Sequence, residues 1–295
     1  MTITRRAFLG QVAASTLISA GVGTVTSAAA KAEHKIDRLG LQLYTVRDQM
    51  AKDFEGTLAK VAAAGYREVE FAGYFDHDPK AVRAILDRHK LTAPSTHVDY
   101  PTVETKLEQA IETSHKIGHR FIVNPWIDET MRKEPDIWKR VAATFNKAGE
   151  SCKKAGIEFA YHNHHFEFVP VDGVKPFDLL LKECDPNLVK IELDLCWITV
   201  AREDPLTYFQ RYPGRFPLVH VKGLKNVPDG QAPVPFDKAI PNITEVGTND
   251  IVDWKRVFAH ASRAGIQHYF VEHDQPASPF DSIRASASYL HDLRF

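Results

Sequence analysis

The sequence predicts an α/β fold, a single (β/α)8 barrel closed by parallel strands. Three observations carry that expectation. Short apolar runs of β type alternate with longer stretches of helical period from residue 39 to the C-terminus, and such alternation implies parallel βαβ units. Eight units in the 265 residues from 31 to 295 match the size of a closed barrel. No glycine-rich phosphate turn follows the first strand, as an open doubly wound sheet would more often show.

The expected strands are 39–44, 68–71, 93–97, 121–124, 157–162, 189–194, 218–221 and 269–272. Helices are expected at 53–64, 79–89, 102–117, 136–155, 176–184, 204–211, 251–263 and 279–292. Asp53, Asp78 before Pro79 and Asp204 before Pro205 are good helix starts, and Gly65, Gly118, Gly156 and Gly265 stand where helices end. Phe54, Leu58 and Val61 share one helix face, spaced to pack on a sheet. The proline-rich stretch 223–250 follows the seventh strand, where a barrel carries a loop over its mouth.

Composition narrows the function classes. With 37 Lys+Arg against 38 Asp+Glu and 44% hydrophobic residues, the chain is an ordinary globular protein. A net charge of −1 supplies no basic field for a polyphosphate chain, so no nucleic-acid partner is expected. Cys152, Cys184 and Cys196 lie too far apart for a zinc-knuckle spacing and are expected to be buried thiols.

Residues 1–30 differ from the rest. They hold no acid, a twin arginine at Arg5 and Arg6, an apolar stretch from Ala7 to Val25 diluted by Gly, Ser, Thr and Gln, and a small-residue end at Ser27 to Ala30. The stretch falls short of the ~20 strongly apolar residues of a membrane span. It is expected to be a removable signal that resembles the twin-arginine type, which exports folded proteins. A periplasmic or secreted protein with no membrane contact after signal removal is implied, with residues 31–295 as its one catalytic domain. Loss of Arg5 and Arg6 leaves 35 basic against 38 acidic residues, a charge of −3.

In a barrel of this kind the C-terminal strand ends face the active site. They carry Gln42, Glu70, His97, Asn124 with Trp126, His162 with His164, Glu192 with Asp194, His220 with Lys222, and Glu272 with Asp274. Core packing does not require polar groups at every strand end. His162, Asp194, His220 and Glu272, from strands five to eight, form a donor set suited to one divalent ion. Mn²⁺, Zn²⁺, Co²⁺ or Fe²⁺ suits imidazole and carboxylate together better than Mg²⁺ does. Gln42, Glu70, His97 and Asn124 are expected to hydrogen-bond the hydroxyls of a ligand, and Trp126 and Trp197 offer flat apolar faces. Glu167, His164 and Glu272 are the acid or base candidates, and Lys222 would meet a developing oxyanion or protonate a leaving oxygen. No Lys/Arg cluster stands at a helix start near strands seven and eight, which argues against a phosphorylated substrate.

The segments Leu41 to Asp48, Glu70 to Tyr74, Tyr161 to Phe168, Glu192 to Trp197, His220 to Gly223 and Val271 to Asp274 resemble the sugar phosphate isomerase/epimerase superfamily, the xylose isomerase-like barrels. The likeness runs in order through nearly all of the chain after residue 30, and Tyr161 to Phe168 is similar to an exported branch near inosose dehydratases and proteins that process 3-keto-glycosides. The resemblance implies a metal set of Glu, Asp, His and Glu on strands five to eight. Asp194, His220 and Glu272 match it by motif. His162 stands where glutamate is usual, with Glu167 as the alternative fourth ligand.

In the epimerases of that superfamily two metal-bound glutamates shuttle a proton on opposite faces of the sugar. Histidine at one position disfavours this, and a one-base elimination or hydration fits better. The expectation is a metal-dependent lyase or isomerase that removes a proton beside the carbonyl of a keto-sugar, 3-keto-glycoside or keto-inositol. An oxidoreductase that makes the keto group would be its natural supplier. The alternatives are an aldose–ketose isomerase or 3-epimerase, and a non-catalytic periplasmic sugar-binding barrel.

Overall fold

A computed structural model describes residues 34–230 and 232–295; the expected signal at residues 1–30 lies outside the described residues. Eight parallel strands close a barrel: β1 (Leu39–Gln42), β2 (Glu68–Phe71), β3 (Thr92–His97), β4 (Phe121–Asn124), β5 (Glu158–His162), β6 (Val189–Asp194), β7 (Leu218–Val221) and β8 (His268–Val271). Each pairs with the next, and β8 returns to β1 through Leu39 opposite Tyr269.

Side chains alternate across a strand, so every second residue points to the axis. Phe121, Val123, Ala160, Leu218 and Phe270 form one buried apolar cluster of strand residues, separate from the large core cluster that includes the helices. Gly40 belongs to this packing: a Cβ there would stand 2.5 Å from the Phe270 ring, so glycine lets that ring fill its place. Outside the barrel, Leu58 and Val61 of the helix Phe54–Ala63 are fully buried, and the helix Ile137–Lys154 buries Val141, Phe145 and Cys152. Burial stabilises each such aliphatic or aromatic side chain by about 1.5–3 kcal/mol. All three cysteines are free and buried.

The expected helices occur, with local differences. The stretch 102–117 is two helices, Tyr100–Thr105 and Leu107–Ile117, each with an apolar face and separated at Lys106. The stretch 251–263 is likewise divided into Trp254–Phe258 and Ala261–Ala264. Strand β1 stops at Gln42 because its side-chain oxygen accepts from Tyr44 N and turns the chain into a short 3-10 helix. The helix Leu195–Val200 was not expected from its β-type composition; Asp194 starts it by accepting from the Cys196 and Trp197 amides. In the proline-rich segment, Gly223–Leu224 pairs antiparallel with Ile243–Thr244, and the short helix Phe236–Ala239 lies between them in sequence. Among the described residues no helix is long and apolar enough to cross a membrane.

Candidate active site

Strand register places the polar side chains side by side. Gln42 lies opposite Glu70 and Glu70 opposite Ser95, while His162 lies opposite Glu192 and Asp194 opposite His220. Two overlapping clusters result. Asp194, His220 and Glu272 bring three donor atoms within 4.8 Å of one another, and His97, His162, Glu192 and His220 bring four. His220 belongs to both: its Nδ1 stands 2.8 Å from Glu272 Oε2 and 3.9 Å from Asp194 Oδ2, and its Nε2 stands 2.7 Å from Glu70 Oε2 and 3.2 Å from Glu192 Oε2. His162, a member of the second cluster with its Nδ1 3.3 Å from Glu192 Oε2, also reaches toward the first, its Nε2 3.8 Å from Asp194 Oδ2. Lys222 reaches Asp194 Oδ2 at 3.1 Å, Glu272 Oε2 at 2.7 Å and Asp274 Oδ2 at 3.2 Å.

A cavity of about 470 Å³ opens above these groups, and His97, Trp126, His162, His164, Lys222, Glu272 and Asp274 all contribute to its lining. Phe236 and Ile240 of the proline-rich segment line it too. The segment is tied down where His165 Nε2 donates to Val234 O at 2.6 Å and where Phe236 packs against the His165, Trp126 and Trp197 rings.

Several of the expected site residues find partners inside the protein. Gln42 and Glu70 are paired with each other. Gln42 Nε2 donates to Glu70 Oε2 at 2.7 Å, Ser95 Oγ donates to Glu70 Oε1 at 2.5 Å, and both carboxylate oxygens are thereby engaged inside the protein. Trp197 is fully buried, stacked on His165 at 5.0 Å, so it supports the wall rather than offering a face. Glu167 is neither at the clusters nor in the cavity lining: Tyr161 Oη donates to its Oε1 at 2.5 Å and the His164 amide to its Oε2 at 2.9 Å. It therefore holds the loop that carries His164. Asn124 donates its Nδ2 to Val98 O at 3.0 Å, while its buried Oδ1 has no partner.

Some participants escaped sequence reasoning. Asn163 Oδ1 accepts from the Asp194 amide at 3.1 Å and so helps fix the end of β6. Asp274, seen only as a strand-end acid, is a partner of Lys222; its position two residues after Glu272, on the same side of an extended chain, was the available signal.

The electrostatics follow from burial and pairing. Burial opposes charge on Lys222, but Asp194, Asp274 and Glu272 overcome it and hold the ammonium well above its ordinary range. His97 is likewise opposed by burial, yet the Glu70 and Glu192 carboxylates raise it to about 9. For His162 and His164 burial prevails: with neighbouring cations including Lys222 it keeps both well below the usual histidine value, against a smaller upward pull of Glu272 on His164. The shift favours the neutral imidazole, the form a ligand or a base requires.

The residues present fit a divalent cation. Asp194 Oδ2 and His162 Nδ1 are buried with no aligned hydrogen bond, and a mixed carboxylate and imidazole set is the chemistry such ions take. His220 would donate its Nε2 proton toward Glu70 while presenting Nδ1, the carboxylate–histidine arrangement that orients metal ligands.

Residues 58–293 match the sequence profile of the family described as xylose isomerase-like TIM barrel. The chain is similar to the inosose dehydratase of Lacticaseibacillus casei, at 23% identity over 265 residues, covering 80% of this chain and 88% of that one. Among solved structures it is similar to a sugar phosphate isomerase/epimerase from Parabacteroides distasonis, with a TM-score of 0.73 and 26% identity over 90% of this chain and 97% of that one. The IolI protein with a bound zinc atom shares the fold, with a TM-score of 0.65 at 12% identity, covering 85% of this chain and 95% of that one.

Proposed function

The chain belongs to the xylose isomerase-like TIM barrel family, and on that footing we propose that it is a lyase of keto-sugars, breaking the C–H bond beside the carbonyl and expelling a β-oxygen. The observation that carries this reading is the convergence of Asp194, His220 and Glu272 on one another and on Lys222, with Glu272 and Lys222 lining the cavity. Similarity to inosose dehydratase supports a dehydrating, sugar-type reaction.

Asp194, His220 and Glu272 would hold one divalent cation, with His162 as the neighbouring fourth donor. Such a cation acts as a Lewis acid toward the carbonyl and stabilises the charge that develops on it. His164 Nδ1, which is buried without a partner on a ring lining the cavity, takes the proton from carbon. The electron pair of that C–H bond forms a C=C bond as the β C–O bond breaks. Lys222 Nζ supplies a proton to the leaving oxygen, so the net change is loss of water or an alcohol. Phe236 and Trp126 pack together as an apolar wall of the cavity.

An isomerase or 3-epimerase would begin with the same proton abstraction and return the proton to carbon. The similarity to a sugar phosphate isomerase/epimerase favours that alternative. Against it stands the strand-five histidine: Glu167 is turned into the protein, so strand five and its loop bring no carboxylate to the cavity. We also propose a periplasmic or secreted setting, with an oxidoreductase supplying the keto-sugar.

The direct test compares the chain with Asp194→Ala on keto-inositols and keto-glycosides after loading with Mn²⁺, Zn²⁺, Co²⁺ or Fe²⁺. A folded variant is expected to retain no metal after dialysis and to form no dehydrated product. Equal metal content and equal turnover in both proteins would refute the assignment.

A further inference from the structure

A second cavity, about 440 Å³, opens beside the first, and the two share Ala72, His97 and Pro125 as lining. It lies between the loop after β2 and the helices Tyr100–Thr105 and Leu107–Ile117, with Tyr74, Val98, Thr102, Ala110 and Thr113 in its walls. Each cavity alone falls in the roughly 300–1,000 Å³ range of small-molecule sites. A single-ring keto-sugar placed over Asp194 and Glu272 would therefore leave the second one unfilled.

The wall of this cavity is built rather than incidental. Tyr74 Oη lies 2.9 Å from both Thr96 Oγ1 and His119 Nε2. His119 Nδ1 faces Ala93 O at 2.6 Å and so carries the ring proton, which leaves Nε2 to accept from the Tyr74 hydroxyl. The next two residues, Phe75 at φ 51° and Asp76 at φ 62°, are both left-handed, a conformation that bulky side chains adopt only when the surroundings enforce it. Val98, Ala110 and Pro125 add apolar surface, and the exposed Asp99, Lys106 and Gln109 add polar groups.

From these observations we propose that the second cavity is a subsite for the aglycone of a glycoside, a second ring joined to the keto-sugar that reacts over Asp194 and Glu272. Flat apolar walls suit the C–H face of a sugar or an aromatic ring, and the polar groups suit hydroxyls. His97, common to both cavities, stands where the two parts of such a substrate join. The inference rests on the keto-sugar reading and narrows it from free cyclic ketones to keto-glycosides.

The test uses methyl and phenyl β-glucoside, which lack the carbonyl and cannot react, titrated by NMR into the full chain and into Ala110→Trp and Thr113→Trp. These two substitutions fill the cavity from a helix outside the metal cluster. The wild-type chain is expected to bind the phenyl glucoside about tenfold more tightly than the methyl glucoside. Either folded variant should lose that preference while keeping its affinity for the methyl glucoside. Equal binding of the two glucosides, binding of neither, or a preference that survives in both folded variants overturns the subsite. A chain that exchanges deuterium into a single-ring keto-sugar and yet shows no preference keeps the functional reading and loses only this inference.

Discussion

Glu70 and His220, 150 residues apart in sequence, meet inside the barrel with Glu70 Oε2 2.7 Å from His220 Nε2. The contact fixes the imidazole so that Nδ1 is turned toward Glu272 and Asp194. Gln42 and Ser95 hold the carboxylate in turn. We propose on this contact that Glu70 acts as a positioning residue for His220.

Replacing Glu70 by Gln preserves the shape and removes the charge behind His220. Affinity for Zn²⁺ or Mn²⁺, measured by competition with a chelator, is expected to fall by about 10–100-fold, as for other carboxylates that support a ligating histidine. Unchanged affinity would detach Glu70 from the metal site.

Lys222 is the ammonium shared by Asp194, Glu272 and Asp274. Lys222→Met keeps the apolar stem and removes the proton donor, so kcat is expected to fall by about 10²–10³. Measured with the metal content of the variant determined in parallel, a kcat near wild type would exclude Lys222 from the reaction.

Burial raises the Glu167 carboxyl from 4.5 to about 7, against the opposing hydrogen bonds from Tyr161 and the His164 amide. The folded chain therefore holds this proton more tightly than the unfolded one. The associated stability is fully present below pH 4.5, and it is lost as pH rises through about 7, an effect of about 3 kcal/mol. Denaturant unfolding at pH 4.5, 6 and 8 in the presence of chelator should show the stability of wild type relative to Glu167→Gln declining across that window. A difference that does not change with pH would contradict the assignment.

How far the site was legible depends on what a residue's type implies about its direction. Asp194 and His220 end apolar runs on adjacent strands, and their pairing follows from the barrel itself. Glu70 lies near the end of β2 and Trp197 in the helix that follows β6, yet residue type does not say whether a carboxylate meets a ligand or a neighbouring histidine, or whether an indole is exposed or buried. Glu167 lies close to His162 in sequence, but the short 3-10 helix Phe166–Phe168 that carries it directs its carboxyl to Tyr161. The helix Leu195–Val200 was hidden because Ile198, Thr199 and Val200 favour strands, while the Asp194 cap that starts it serves the backbone through one carboxylate oxygen and leaves the other to the site. The break at Lys106 interrupts a helical period that the sequence continues without a proline or glycine.

Export is proposed from Arg5 and Arg6, the apolar stretch behind them and the alanine-rich end. Changing both arginines to lysine is expected to leave the precursor in the cytoplasm, read by cell fractionation and by the uncleaved mass. Unimpaired export of that variant would remove the twin-arginine reading.

The most direct test of the central claim is solvent exchange. The metal-loaded chain is incubated with a keto-glycoside in D₂O, and the substrate and products are followed by mass and NMR. Deuterium is expected at the carbon beside the carbonyl, together with loss of the β-substituent, and both should vanish in Asp194→Ala. Absence of exchange above the rate without protein, or an epimer of the substrate as the sole product, would contradict the lyase proposed here.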